Sequence, residues 1–178
     1  MLLDRFRHWN ASSAERTADY PCDAYLDPPF ARYNRAIDVA APTGTVFRRL
    51  CQLKVAPYSY DWLDNRGKRS PEELTPGAEE LAVGQPFLVF NIVEFEPDRH
   101  ISGRSRPDAG QVYGQLAITY QVTPVGASST RLAVRLNASM ASLRSRVLGP
   151  ALVAGDAVMM RAQLMNLKRL AERDAAGG

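Results

Sequence analysis

From residue 87 to residue 138 the chain reads as four successive strand-like runs, and a single long stretch of helical spacing closes it. Few folds accept that order. The runs span about Phe87 to Phe95, His100 to Arg106, Val112 to Thr123 and Thr130 to Ala138, with PD, PDAG and TPVGAS turn signals between them. In the third, Leu116, Ile118, Tyr120 and Val122 alternate with Ala117, Thr119 and Gln121. In the fourth, Leu132, Val134 and Leu136 alternate with Arg131, Ala133 and Arg135. Neighbouring side chains on a strand point to opposite faces, so each run has one apolar and one polar face and antiparallel pairing is expected. From about Pro150 to Arg173, apolar residues recur three and four apart as Val153, Ala157, Met160, Leu164, Leu167 and Leu170. That spacing predicts an amphipathic helix, followed by a disordered AAGG tail at 175–178.

The upstream half carries weaker signals. In YNRAIDVAAP, Ile37 and Val39 share one strand face, and Pro42 and Thr43 stand where a helix through Val46, Phe47 and Leu50 would open. Residues 55–84 contain Pro57, Gly67, Pro71, Pro76, Gly77 and Gly84, which predicts an irregular segment with one helical turn from Pro71 to Leu74. Residues 1–30 read as an N-terminal arm with a short helix near Ser12 to Asp19, leaving a single domain over 31–174. The whole is an α+β order: strand, short helix, antiparallel strands, long helix. The helix must cover the apolar face of the sheet, and if the sheet is curved a wedge of space between them makes an internal pocket.

Composition excludes several function classes. With 22 basic and 19 acidic residues, the net charge of +3 has little pull on nucleic acid, and no aromatic is interleaved among Arg131, Arg135, Arg144 and Arg146. Those arginines read as a solvated face, and no nucleic-acid partner is expected. Cys22 and Cys51 are far apart and outside any Cys/His cluster. Asp61 and Asp64 alone would underligate a metal, so they read as turn and capping residues. His8 and His100 have no nucleophile motif beside them, and no Gly-rich phosphate loop follows a strand. The site therefore calls for neither a metal nor another cofactor. No run approaches the ~18 apolar residues of a membrane span, and the opening residues hold no signal-peptide core, so a cytoplasmic location without a membrane span is expected.

Several segments together resemble the SRPBCC superfamily, which groups START-type lipid-transfer domains, birch-pollen-allergen-like proteins and polyketide cyclases or dehydrases. They are IDVAAPTGTVFRRL, GQPFLVFNIVEFEPDRHI, YGQLAITYQVTPVGASSTRLAVRL and GDAVMMRAQLMNLKRLAE, spread over about Tyr33 to Glu172. PYSYDWLDNRG looks like a subgroup of uncharacterised bacterial members. The resemblance implies a helix-grip fold: a curved antiparallel sheet wrapped around the C-terminal helix, enclosing a hydrophobic cavity. The superfamily spans binding proteins, transporters and enzymes, so the fold alone does not decide function.

The densest chemistry is the group Tyr58, Tyr60, Asp61, Trp62 and Asn65, two phenols, an indole, a carboxylate and an amide in an irregular segment. Such residues either supply the few polar groups of an apolar pocket or plug the core and make local backbone hydrogen bonds. Tyr120 lies on the apolar side of its strand, where its hydroxyl must find a partner or face a wet cavity. Arg104 falls in a strand without a clear apolar side; turned inward, it would pair with a ligand carboxylate. Met160 lies on the buried side of the last helix, where an unbranched thioether adapts to varied apolar surfaces. These residues point first to carriage of a small hydrophobic molecule, aromatic or polyketide-like, in an internal cavity without catalysis. The alternatives are a polyketide cyclase or aromatase using Tyr, Asp and Arg groups, and an interaction domain whose cavity is collapsed.

Overall fold

A computed structural model describes residues 7–59, 68–140 and 143–177. Its elements are α1 (Ser13–Thr17), a 3-10 turn (Pro21–Tyr25), β1 (Phe30–Val39), α2 (Thr43–Cys51), β2 (Pro86–Phe87), β3 (Phe90–Glu96), β4 (His100–Ser105), α3 (Pro107–Tyr113), β5 (Leu116–Gly126), β6 (Ser129–Ser139) and α4 (Leu143–Gly177). The strands form one antiparallel sheet in the order β1-β6-β5-β4-β3-β2, so the first strand closes against the last and every other pair of neighbours is consecutive in the chain. Among the described residues no helix is long and apolar enough to cross a membrane.

Alternation sorts the sheet into two faces. Tyr33, Ile37, Val39, Leu132, Val134, Leu136, Ile118, Tyr120, Val122, Ile101 and Ile92 face inward and pack with Met160, Leu164, Leu167 and Leu170 of α4. Each buried aliphatic side chain there is worth about 1.5–3 kcal/mol relative to exposure. Val46, Phe47 and Leu50 bring α2 into the same core. Gly103 is required by packing: a Cβ at that position would stand 2.8 Å from Phe90 Cβ on the neighbouring strand.

The outer face is not solvated as expected. Residues 15–26 lie across it, and a second apolar cluster joins Tyr20, Cys22 and Leu26 to the small side chains Ala36, Ala117 and Ala133. Arg135, expected to be solvated, is buried there. Its guanidinium donates to Asn34 Oδ1 (2.8 Å), Asp23 Oδ2 (2.8 Å) and the carbonyls of Glu15, Ala18 and Arg16 (2.9, 2.7 and 2.9 Å), and it lies 4.2 Å from the Tyr20 ring centroid. Arg131 donates to Glu15 Oε1 (2.7 Å) and Asp38 Oδ1 (3.0 Å). Polar residues on a strand's second face thus serve a covering layer rather than water. A capping box between Ser12 and Glu15 starts α1, and Glu15 then reaches Arg131.

Local departures from the sequence reading have identifiable causes. The run from Phe87 to Phe95 is broken by a tight turn at Leu88, whose φ is +55°. PDAG opens a helix, α3, instead of a turn: proline suits the first helical position and Asp108 the positive end of the helix dipole, while Gly114 (φ +81°) ends it. No helical turn forms from Pro71 to Leu74. α4 begins at Leu143 and continues through the residues read as a tail to Gly177, because Asp174 in its last turns accepts two hydrogen bonds from buried Arg49 (2.6 and 2.7 Å). The Val153 side chain lies outside the described residues.

Candidate functional site

The inner face between the sheet and α4 is where an apolar wall acquires polar groups. Pairing sets one row across it: Arg35 opposite Val134, Val134 opposite Tyr120, Tyr120 opposite Ile101. Adjacent strands are about 4.8 Å apart, so Arg35 and Tyr120 stand two strand spacings from one another.

Tyr120 is fully buried, and its hydroxyl has found a partner. It donates to Gln163 Oε1 on α4 at 2.6 Å, with Met160 Sδ 3.6 Å away. Gln163 Nε2 in turn donates to the Pro57 carbonyl at 2.7 Å, and one turn along α4 Asn166 Nδ2 donates to the Tyr58 carbonyl at 2.9 Å. Sheet, helix and the loop entering residue 58 are therefore clipped together at one place. Tyr58 is buried and adopts φ +55°, a left-handed conformation uncommon for a non-glycine residue. Its own N–H donates to Ser70 Oγ at 3.1 Å, so the strained backbone is held from both sides. The Tyr120 ring meets Phe87 edge to face at 5.7 Å between centroids.

Of the residues singled out in the sequence, Tyr58, Tyr120 and Met160 come together in this interior. Tyr60, Asp61, Trp62 and Asn65 lie outside the described residues. Arg104 does not face inward: it alternates with Gly103 onto the outer face, is exposed, and reaches Gln115 Oε1 at 3.4 Å. Gln163 was missed, because a polar residue on the predicted buried stripe of a helix is legible only once its partner is known. Arg35 was missed although a signal existed. Tyr33, Ile37 and Val39 step two residues at a time along the inner face, and the same step lands on Arg35, which is 1% exposed with its guanidinium carbon 5.9 Å from the Tyr33 ring centroid.

The same Tyr33 ring carries an exposed cation, Arg7, at 5.4 Å. Arg7 also lines a groove of about 460 Å³ at the start of β1, together with Pro28, Pro29, Phe30, Ala31 and Arg32. Arg32 lies 5.2 Å over the Phe30 ring, with its Nε 3.4 Å from Asp23 Oδ1.

Titratable groups elsewhere are tied into structure. Burial pushes the thiols of Cys22 and Cys51 up to about 12, far from the thiolate that nucleophilic chemistry needs. Tyr25 donates to Glu94 Oε2 at 2.6 Å, a bond that raises the phenol to about 12, while Glu94 Oε1 lies 3.0 Å from His100 Nε2. That Tyr–Glu–His chain joins the outer covering layer to β3 and β4.

No protein-family model matches the chain. No curated protein matches it either. Solved structures do. The chain is similar to norcoclaurine synthase from Thalictrum flavum, a point mutant in complex with a transition-state analogue, at 14% identity over 84% of this chain and 98% of that one, with a TM-score of 0.53. It is also similar to the ZhuI aromatase/cyclase from Streptomyces sp. R1128 (18% identity, 84% and 99% covered, TM-score 0.46) and to a major latex protein family member from Arabidopsis thaliana (18%, 78% and 94%, 0.46). At such identities what is shared is architecture: an antiparallel sheet against a long C-terminal helix, a helix-grip fold like that of norcoclaurine synthase.

Proposed function

We propose that this protein binds and carries a small hydrophobic molecule between the inner face of its sheet and α4, without catalysis. The observation that carries this reading is the Tyr120–Gln163 pair, a polar anchor set into a largely apolar wall beneath the helix. A ligand site built that way is mostly apolar with a few placed polar groups that orient the occupant. Tyr58 stands beside the anchor, its carbonyl accepting from Asn166 one turn along α4 from Gln163. The non-catalytic part of the proposal draws on the residue types present. Among the described residues the buried polar side chains are amides, hydroxyls, thiols and arginines, and the Tyr120 hydroxyl, a candidate acid on the inner face, is committed to Gln163 Oε1. Acid–base chemistry of the cyclase kind needs a titratable group within about 3 Å of the proton it moves.

The test is titration of the native protein with N-phenyl-1-naphthylamine, a neutral apolar fluorophore. Saturation near one site per chain is the expected result. A folded protein, by circular dichroism, that binds no such probe has a collapsed interior and overturns the reading. The expectation from the sequence that Trp62 meets the ligand is tested by Trp62→Ala. A ring that covers ligand gives a large loss of probe affinity and a small loss of stability, whereas about 3–5 kcal/mol of lost stability with unchanged affinity makes it core.

A further inference from the structure

We propose that the first half of β1 is a docking edge that takes an extended acidic segment of a partner protein by strand addition, its carboxylates received by Arg7 and Arg32. The site lies on the sheet edge, outside the core beneath α4, and stands apart from the carriage reading.

Register fixes the direction of each backbone group. β1 ends the sheet and pairs only with β6. The N–H and C=O of one strand residue point the same way, and that direction alternates along the strand. Ala36 has its N–H and C=O taken by Trp9 and Asn10, on the side away from β6, so the even-numbered residues of β1 present their backbone outward. Two further contacts agree. Lys168 Nζ donates to the Asp38 carbonyl at 2.7 Å, and the Ala40 N–H just beyond the strand donates to Glu172 Oε1 at 2.8 Å. The odd positions face β6, as the Pro29 carbonyl does in accepting from the Met140 N–H at 2.9 Å. The cover therefore runs over Ala36, Asp38 and Ala40. Phe30 and Arg32 point the same way, and among the described residues nothing bonds to their outward N–H and C=O groups. The groove of about 460 Å³ lies along this bare stretch, lined by residues 28–32 and Arg7.

Side chains select the occupant. Bare strand edges are templates for pairing, and proteins that have no use for them blunt them. Here only the second half is blunted. Arg32 lies 5.2 Å over the Phe30 ring, and Arg7 lies 5.4 Å from the Tyr33 ring. A guanidinium held against a ring keeps its N–H edge for a carboxylate. Both arginines are exposed. Asp23 stands 3.4 Å from Arg32 but is committed to Asn137 and Arg135, each at 2.8 Å, and exposed Asp27 does not line the groove. The edge is thus positive, while Pro28, Pro29 and Phe30 offer apolar surface to the residues between the carboxylates. Proline has no N–H to donate, so pairing ends at Phe30 and the added segment is short.

The experiment titrates the full chain with a fluorescein-labelled hexapeptide of alternating glutamate and valine. Its controls are the same peptide with lysine for glutamate and the glutamate peptide with every backbone amide methylated. The native protein is expected to bind the glutamate peptide about tenfold or more tightly than either control. In isotope-labelled protein, binding is expected to slow amide exchange at Phe30 and Arg32 and to leave Ala36, already bonded, unchanged. Arg7→Ala/Arg32→Ala, at exposed positions, is expected to weaken binding about tenfold with an unchanged melting temperature. Equal binding of the methylated peptide removes strand addition, and equal binding of the lysine peptide removes the arginines; either result overturns the inference, as does binding of none. Slow exchange at Phe30 and Arg32 before any peptide is added means that the edge is already taken, by the chain itself or a second copy, and overturns it too.

Discussion

At the residue scale, a polar atom in an apolar wall is informative because it must be accounted for. The Tyr120 hydroxyl is satisfied by Gln163, and Gln163 by the Pro57 carbonyl, so removing one oxygen disturbs both. Tyr120→Phe leaves the buried Gln163 Oε1 without its donor and is expected to lower stability by about 1–3 kcal/mol, read as a shift of the denaturation midpoint at constant m. A neutral outcome would mean that a water or a turned amide replaces the hydroxyl. Arg35 teaches a complementary point. Charged residues are read as surface by default, yet two-residue periodicity along Tyr33, Ile37 and Val39 assigns a face independently of chemistry. Arg104 shows the same rule from the other side, exposed because it alternates with Gly103.

At the element scale, α4 and the outer layer hold the sheet from opposite sides. Leu164 is fully buried where α4 crosses the inner face, and Leu164→Asp, which places an unpaired carboxylate there, is expected to be severely destabilising. An unchanged melting temperature would contradict the packing. The outer layer is held by charge. Burial by itself would raise Asp23, but hydrogen bonds from Asn137 and the Tyr20 backbone together with Arg135 hold its carboxyl below the usual value. Glu15 is likewise lowered, chiefly by its hydrogen bond to Arg131. A depressed carboxylate contributes stability that is present above its unfolded pKa, about 4, and lost as pH falls through the lower folded value. Amide exchange in residues 11–27 is therefore expected to quicken below about pH 4 before the β5–β6 core opens. Uniform protection loss across both layers would contradict this. Elsewhere β1 is an edge strand whose second half has its outer groups covered: Ala36 N–H donates to the Trp9 carbonyl, its carbonyl accepts from Asn10, and Lys168 reaches the Asp38 carbonyl. That cover removes a template for strand addition there.

At the scale of the whole molecule, a ligand seated between sheet and helix bridges the two halves of the core, so binding and stability are linked. A probe held at 100 times its dissociation constant is expected to add about 2.7 kcal/mol, seen as a rise in melting temperature that follows probe concentration. A temperature independent of probe would place binding outside the cooperative core. The architecture was legible in the chain because alternation at period two and recurrence at three and four are local properties of backbone geometry: Leu116 to Val122, Leu132 to Leu136 and Met160 to Leu170 each declare their buried face without knowing their partners. Aromatic content marked Tyr58, and a misplaced hydroxyl marked Tyr120, by the same local logic. What covers a polar face is not local. Only chain folding over separations of more than 100 residues brought Glu15, Ala18 and Asp23 onto Arg135 and turned an expected solvated face into an interior, and over a shorter one of 43 residues it set Gln163 against Tyr120. Sequence by itself determined which side of each element is apolar, since side-chain direction follows from the backbone; the tertiary structure alone decided which polar groups meet, since those contacts depend on how distant elements are brought together.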